Sequence, residues 1–180
     1  MLDRAPVPSY ARRMGTDIAG AIAEFIGLND RFLDDGLGGS ERQRWGGLAS
    51  KLEASAVSLD LSGPTGGTRR QHARAPMRCQ IAFRRPPAVG TAETLDLSCG
   101  GCALEAPCRL ASGDEVEMEI GLPARRGALR TCGRVCWAIP ARAAGRWRAG
   151  VSFVGLSPDQ RDLVAACVLA ELAPRLGVPA

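Results

Sequence analysis

The amino-acid sequence predicts a mainly β protein, in which an antiparallel barrel or sandwich of six strands is preceded and followed by helices. Three observations favour this fold class. Apolar residues recur at helical spacing before residue 60, and apolar and polar residues alternate after residue 76. The alternating stretches are short and are separated by turn residues, which is typical of antiparallel all-β folds rather than parallel sheets.

The first helix is predicted to begin at Thr16. Residues 1–15 contain two prolines and two adjacent arginines without a clear period, so we interpret them as a loose leader. From Ile18 to Leu33 apolar residues recur at spacings of three and four, which indicates one apolar stripe on a helix. Gly36 is the predicted end of this helix.

A second helix is predicted to begin at the capping-box pattern Ser40–Gln43, and its apolar face extends from Trp45 to Leu59. Together the two helices are expected to form a helical hairpin in residues 1–61. Because a hairpin alone buries too little surface to be stable, its remaining apolar edge is expected to pack on the next domain or on a second copy. The second alternative gives a homodimer through Asp17–Leu59.

Residues 62–68 are rich in glycine and are predicted to be a flexible linker. The β domain is expected to occupy residues 69–180. Its predicted strands are Met77–Phe83, Gly90–Leu97, Cys102–Ala106, Glu115–Ile120, Leu129–Ile139 and Trp147–Phe153.

Alternation also predicts which side chains face the interior of the β domain. In the fifth strand it places Val135 and Trp137 inward, and in the sixth it places Trp147 in the same register as the core residues. Ser157–Gln160 combines an N-cap serine, a proline and a capping-box glutamine. This pattern predicts a final helix that covers one opening of the barrel.

Composition narrows the class of protein. No apolar run approaches the roughly 20 residues that a membrane span needs, and the N-terminus does not resemble an export signal. We therefore expect a soluble, cytoplasmic protein. Seven cysteines are an odd number in a chain of this length, which indicates free thiols in a reducing compartment.

A cluster of arginines follows the predicted linker. Arg69, Arg70 and Arg74 lie within six residues, and no acidic residue occurs between Leu61 and Ala92. Guanidinium groups donate paired hydrogen bonds to phosphate oxygens and also stack on bases. The cluster therefore indicates a ligand that carries phosphate.

A second polar motif lies some twenty residues further on. The carboxylate of Asp96 could accept hydrogen bonds from a purine edge, and the hydroxyl of Ser98 shares its side of an extended segment. Gly100 and Gly101 allow a close backbone approach. A tight turn stabilised by the same side chains is the structural alternative. The two clusters together predict a site for a guanine nucleotide.

The two motifs resemble the signature of the PilZ domain family, whose members are bacterial receptors for cyclic di-GMP. The matching residues are Arg70, Arg74, Asp96, Ser98 and Gly101. The resemblance continues through the later strands and spans roughly residues 68–172. It implies a six-stranded PilZ-like β-barrel with a C-terminal helix, preceded by the N-terminal helical hairpin.

The resemblance also implies roles for individual residues in binding cyclic di-GMP. Arg70 and Arg74 would hold the phosphates and a guanine, with help from Arg69, and Asp96 and Ser98 would hold guanine edges together with the glycine backbone. We expect further contacts from Trp147 and Arg148 at the start of the last strand. The site residues expected from the sequence are Arg69, Arg70, Arg74, Asp96, Ser98, Gly100, Gly101, Trp147 and Arg148.

Other chemistries have little support in the sequence. Cys99 and Cys102 form one metal-like pair, but Cys132 and Cys136 make a poor second pair, so no metal or cofactor is expected. A single histidine and scattered carboxylates give no catalytic arrangement, so we do not expect an enzyme.

We therefore interpret the protein as an effector in which cyclic di-GMP changes the angle between hairpin and barrel or the oligomeric state, and so regulates a downstream protein. Two alternatives remain at this point. The first is a PilZ-like adaptor that binds proteins and no nucleotide. The second is a small barrel that binds single-stranded nucleic acid, which the aromatic content of 4% disfavours.

Overall fold

The structure is a computed structural model of the chain and describes residues 9–60, 71–123 and 128–176. The linker 62–68, Arg69 and Arg70 lie outside the described residues. Within these ranges the elements are α1 (Ser9–Asp34), α2 (Gly39–Asp60), β1 (Arg74–Ala75), β2 (Gln80–Arg85), β3 (Ala88–Ser98), β4 (Gly101–Ala106), β5 (Glu115–Gly121), β6 (Ala128–Pro140), β7 (Trp147–Val154) and α3 (Pro158–Leu176). None of the described helices is both long and apolar enough to cross a lipid bilayer.

Strands β2–β7 form a closed antiparallel barrel. Neighbouring strands follow the order β3, β2, β5, β6, β7 and β4, and the pairing of β4 with β3 closes the ring. Alternate side chains of each strand fill the interior, among them Ile81, Ile120 and Val135, which are almost fully buried. The predicted six-stranded barrel is confirmed, and the sandwich alternative is excluded.

The strand β1 was absent from the sequence prediction. It contains only two residues, Arg74 and Ala75, which pair with Ser98 and Leu97 of β3. A pair of residues is too short to show alternation. We call residues 69–74 the arginine segment. The short pairing places its last residue, Arg74, beside the second polar motif.

The predicted inward position of Trp137 is wrong. The pairing of β6 with β7 shifts register between Val135 and Trp137, which is the mark of a β-bulge. The extra residue moves the following side chains to the opposite face, so Trp137 is 43% exposed while Val135 is buried. Its indole lies on the outside of the barrel.

The first helix begins at Ser9, which is earlier than the predicted start at Thr16, so part of the expected loose leader is helical. Its predicted end is confirmed at Gly36, which has φ of 86° and donates its N–H to the carbonyl of Arg31 at 3.0 Å. The rings of Phe32 in α1 and Trp45 in α2 stack with centroids 4.7 Å apart. The two N-terminal helices therefore contact each other directly.

Helix α3 belongs to two hydrophobic cores at once. Val164, Cys167 and Val168 pack with the buried residues of the barrel, whereas Ala166 and Leu169 pack with α1 and α2. The predicted N-cap is confirmed, because Gln160 donates its N–H to the Ser157 hydroxyl and its side chain accepts the Ser157 N–H. The apolar face of the two N-terminal helices thus finds a partner within the same chain.

Candidate ligand-binding site

The two polar motifs meet on the outside of the barrel. Because β1 pairs with the end of β3, the guanidinium of Arg74 reaches Asp96, and its Nη1 donates to the carboxylate oxygens at 3.1 and 3.3 Å. The side chains keep 37% and 26% of their surface exposed. Two groups that lie 22 residues apart in sequence therefore form one polar site that solvent can reach.

A backbone irregularity holds the Asp96 carboxylate in place. The pairing of β3 with β4 shifts register between Thr94 and Asp96, and Oδ1 of Asp96 accepts the backbone N–H of Ala103 at 2.9 Å. A carboxylate fixed by one backbone donor and one guanidinium has a defined direction. It is therefore organised to accept a hydrogen bond from a ligand.

Ser98 and Gly101 form the tight turn between β3 and β4. The Ser98 hydroxyl is buried and donates to the carbonyl of Gly101 at 2.9 Å. Gly101 has φ of 153°, and a Cβ placed there would lie 2.1 Å from the carbonyl oxygen of Val151. Only glycine fits this position. The turn alternative considered for this motif accurately describes the geometry of these two residues.

The histidine of the arginine segment lies between this turn and helix α2. The Cδ2 atom of His72 is 3.1 Å from the position that a Cβ on Gly100 would occupy. Its Nδ1 donates to the Glu53 carboxylate at 3.1 Å. The turn and α2 therefore contact the same imidazole.

A row of four paired residues extends from the polar site across the outside of the barrel. Asp96 pairs with Ala103, Ala103 with Gly150, and Gly150 with Trp137. A Cβ on Gly150 would lie 2.1 Å from the indole nitrogen, so the indole rests directly on the backbone of β7. We call the outer surface formed by these four residues the ligand face.

Trp137 was not among the candidate residues from the sequence. The alternation of apolar and polar residues does not reveal the bulge that turns Trp137 outward, because the bulge depends on how β6 pairs with β7. One signal was available: Gly150 lies inside a predicted strand, and a glycine there often marks the close approach of another group. Here that group is the indole.

The two candidates at the start of β7 have different positions. Arg148 lies on the same outer side as Gly150, two residues along the strand, and its Nε is 3.5 Å from the Glu105 carboxylate. Trp147 pairs with Ala106 at the other end of β4, and the Arg109 guanidinium lies 5.4 Å from its ring centroid. The structure therefore does not bring Trp147 to the polar site.

The distance between Trp147 and the polar site follows from the length of β7. Trp147 precedes Ser152, the residue paired with Gly101, by five positions, which correspond to about 16 Å at the rise of an extended strand. The sequence expectation for Trp147 rested on its place at the start of the strand, without the register that decides which end of the barrel it occupies.

The pKa values of a carboxylate and of two thiols near the site are shifted, each for a clear physical reason. Hydrogen bonds from Arg146 and then Arg148 lower the pKa of Glu105 despite partial burial. Burial raises the pKa of the Cys99 and Cys102 thiols to about 12, so both are protonated at neutral pH. In the described part of the chain no three His, Cys, Asp or Glu side chains are grouped in a way that could hold a metal ion.

Comparison with solved structures finds matches at low sequence identity. Bacillus subtilis MotI/DgrA, an inhibitor of motility, is 19% identical over 59% of this chain and 52% of its own, with a TM-score of 0.49. The chain therefore spans about half the length of that protein. The PilZ domain of Escherichia coli YcgR, solved with c-di-GMP, is 14% identical over 60% of this chain and 95% of its own, also with a TM-score of 0.49.

A third solved structure aligns with nearly the whole chain. It is a Xanthomonas campestris protein described as a tetrameric PilZ domain assembled through a helical bundle. Its identity is 14%, over 97% of this chain and 82% of its own, with a TM-score of 0.38. No curated protein matches the sequence.

The family assignment comes from the sequence model of the PilZ domain, which matches residues 68–170. The match covers more than half of the 180 residues and includes all six strands of the barrel, the arginine segment and the turn between β3 and β4. The chain belongs to the PilZ domain family.

Proposed function

We propose that the protein is a receptor for cyclic di-GMP. The observation that carries the proposal is the contact between Arg74 and Asp96, which unites the two halves of the PilZ motif on the barrel surface. A guanidinium and a fixed carboxylate side by side match a ligand that carries both phosphate and a guanine edge. Family membership and the intact motif support the same ligand.

The proposed binding mode gives each residue one task. Arg74 exchanges part of its contact with Asp96 for a phosphate oxygen, and Arg69 and Arg70 add guanidinium groups from the segment before it. Asp96 accepts N–H groups of one guanine. The turn that contains Ser98, Gly100 and Gly101 gives the ligand close access to the backbone, and Arg148 reaches the ligand face from the adjacent row.

The position of Trp137 adds a stacking surface to this mode. Its indole is partly exposed at the end of the ligand face, three strands from Asp96. Neighbouring strands lie about 4.8 Å apart, so the row from Asp96 to Trp137 is about 14 Å long. A dinucleotide can span that length, and stacking of a base on an aromatic ring contributes about 1 to 3 kcal/mol.

We further propose that ligand binding affects the N-terminal helices and, through them, a downstream partner. Ala56 of α2 packs in the barrel core, in the same cluster as Ala73 of the arginine segment. A ligand that binds to this segment therefore acts on residues that share a packed cluster with α2. The homodimer expected from the sequence is a separate proposal that concerns the outer surface of the same helices.

The proposed function is tested by calorimetric titration of cyclic di-GMP into the wild-type protein and Arg74→Ala. Loss of a charge-assisted contact with phosphate is worth about 1.5 to 3 kcal/mol, so we expect affinity to fall roughly 10- to 100-fold. Arg84→Ala is the matched control, because Arg84 forms an exposed ion pair with Glu117 at 3.4 Å on the other side of the barrel. Equal affinity of the Arg74→Ala and wild-type proteins would contradict the proposal.

A further inference from the structure

Among the described residues, a polar contact between His72 and Glu53 links the arginine segment to helix α2. Nδ1 of His72 lies 3.1 Å from Oε1 of Glu53, and the two side chains are 33% and 30% exposed. His72 precedes Arg74 by two residues, and both side chains remain at least partly exposed whereas Ala73 between them is buried, so the two lie on the outer side of the segment. Between and after them, Ala73 and Ala75 are buried with Ala56 of α2 in the barrel core.

The same imidazole also supports the turn between β3 and β4. Its Cδ2 edge packs against Gly100 so closely that a Cβ there would be 3.1 Å away. Helix α3 holds the residue before it, since the Cys99 thiol donates to the carbonyl of Arg161 at 3.7 Å. After burial, the negative charge of Glu53 is the next largest reason why the pKa of Cys99 is raised, which agrees with a carboxylate close to this turn.

We infer that Glu53, a residue of the N-terminal helices, is a positioning residue of the cyclic di-GMP site and acts through His72. The inference rests on the proposed function of that site. Glu53 fixes the imidazole, and the imidazole fixes both Gly100 and the extended backbone that carries Arg74. The ligand site is therefore complete only when α2 is packed on the barrel.

The energetic consequence is reciprocal. If the packed position of α2 favours ligand binding, the bound ligand favours the packed position of α2 by the same factor. A hydrogen bond between two side chains that are about one-third exposed contributes at most about 1 kcal/mol, so we expect a change of roughly two- to fivefold in affinity. This change in affinity is smaller than the change expected for Arg74→Ala, and calorimetry can measure it.

The test is a double-mutant cycle with full-length wild-type protein, Glu53→Ala, His72→Ala and the double variant, each titrated with cyclic di-GMP. We expect each single variant to bind roughly two- to fivefold more weakly and the double variant to bind no more weakly than the weaker single variant. Glu41→Ala is the matched control, since Glu41 lies on the same helix and forms an exposed ion pair with Arg31 at 2.6 Å. We expect it to bind like the wild type.

A second measurement separates positioning from general destabilisation. His72 is the only histidine, so its imidazole gives a single set of NMR signals without assignment. Glu53→Ala is expected to change these signals in the free protein, cyclic di-GMP is expected to change them in the wild type, and Glu41→Ala is expected to leave them unaltered. Urea unfolding of each variant reports any loss of fold.

The outcomes distinguish this inference from the proposed function. If the wild type does not bind cyclic di-GMP, the proposed function is wrong and the inference falls with it. If the wild type binds and Glu53→Ala binds equally well, only the inference is overturned. Additive effects of the two single substitutions would also overturn it, because they would show that Glu53 does not act through His72.

Discussion

At the level of single residues, the ligand face combines a fixed carboxylate with an aromatic ring supported on glycine. The indole of Trp137 rests on Gly150 and is 43% exposed. Single exposed apolar side chains are common on protein surfaces, so exposure alone does not distinguish Trp137 from Ile139. What distinguishes Trp137 is its place in the same row of paired residues as Asp96. The proposed cyclic di-GMP site lies at the other end of this row, which is the reason for proposing that a base stacks on Trp137.

We expect Trp137→Leu to weaken cyclic di-GMP binding without loss of stability. Leucine keeps apolar cover over Gly150 but removes the aromatic face, and stacking on such a face contributes about 1 to 3 kcal/mol per base. The affinity measured by calorimetry should therefore fall at least fivefold, while the urea midpoint should change little. Ile139→Leu, at another exposed apolar position of β6, is the control. An unchanged affinity of Trp137→Leu would remove Trp137 from the site.

The buried thiols are expected to make stability depend on alkaline pH. Burial raises the pKa of Cys102 and Cys167 from about 9 to about 12. The folded state therefore retains protons that the unfolded chain loses, so the stabilisation is complete below about pH 9 and is lost as the pH rises toward 12. Each thiol should lower the free energy of unfolding by up to about 1.4 kcal/mol per pH unit in that window.

The measurement is urea unfolding at about pH 8 and about pH 10, for the wild type and for Cys167→Ala. Other groups also titrate above pH 9, so the informative quantity is the difference in pH dependence between the two proteins. We expect the variant to lose less stability between the two pH values. Parallel pH profiles would show that Cys167 does not titrate as its burial indicates.

At the level of elements, one buried amide connects the three helices. Asn29 of α1 is 1% exposed, its Nδ2 donates to the carbonyl of Ala166 in α3 at 3.1 Å, and its Oδ1 accepts the indole N–H of Trp45 in α2 at 2.9 Å. Both partners lie in a hydrophobic core that offers few other hydrogen bonds. The Asn29 amide therefore fixes the positions of α1, α2 and α3 relative to one another, because its two hydrogen bonds form only when all three helices are in place.

We expect Asn29→Ala to destabilise the protein by about 1 to 3 kcal/mol. The substitution leaves the buried Trp45 indole N–H without a partner, and a buried unsatisfied group costs about this much. The Ala166 carbonyl lies inside α3 and keeps its helical hydrogen bond. Chemical unfolding monitored by tryptophan fluorescence measures the change. Asp30→Ala, at the exposed neighbouring position, should have an effect below about 0.5 kcal/mol. A loss below about 1 kcal/mol for Asn29→Ala would contradict the role given to the amide.

The elements also show what the sequence can and cannot reveal. Alternation identified the strands β2–β7 because each has one face in the core, and the capping pattern at Ser157–Gln160 located the start of α3. Alternation could not reveal the bulge before Trp137 or the short strand β1, because both depend on pairing with distant residues. The early start of α1 at Ser9 was missed because the prolines and arginines nearby show no helical period.

The candidate site was predictable to a similar extent. The expectation that Arg74 and Asp96 lie close together agrees with their contact at 3.1 Å, and their roles in ligand binding stay predictions. The motif gave no information on Trp137 or on the contact between His72 and Glu53, because both depend on packing outside the motif. The expectations for Arg69 and Arg70 fall outside the described residues and stay predictions.

At the level of the whole molecule, the N-terminal helices and the barrel share α3. Ala166, Leu169 and Ala173 of α3 are buried against α1 and α2, and Arg42 of α2 bridges Asp159 and Asp162 of α3 at 2.6 and 2.7 Å. This packing within the chain buries most of the large apolar side chains whose burial is described on α1 and α2, in residues 18–58. Among the large apolar side chains described on α1 and α2, Ile26 is the one that is clearly exposed.

We expect a shortened protein that starts near Thr65 to be less stable than the full chain. Removal of α1 and α2 exposes the apolar face of α3 and deletes Ala56 from the barrel core. Each Å² of apolar surface that becomes exposed lowers the free energy of unfolding by about 25 cal/mol. Thermal unfolding should begin several degrees lower. Equal unfolding temperatures would show that the helices add nothing to the barrel.

The same two proteins test the homodimer predicted from the sequence. Light scattering gives the mass of each in solution. A dimeric full chain and a monomeric shortened protein would support association through the N-terminal helices. A monomeric full chain would contradict the homodimer, and the packing of α1 and α2 on α3 would then be the sole use of their apolar faces.

The shared helix α3 also affects the order of events during synthesis. It follows both the N-terminal helices and the barrel strands in sequence, so both hydrophobic cores are incomplete until residues 158–176 leave the ribosome. During translation the apolar faces of α1, α2 and the barrel therefore stay partly uncovered until α3 has been synthesised. Chaperones that bind nascent chains therefore have their longest opportunity to act on this protein just before α3 emerges.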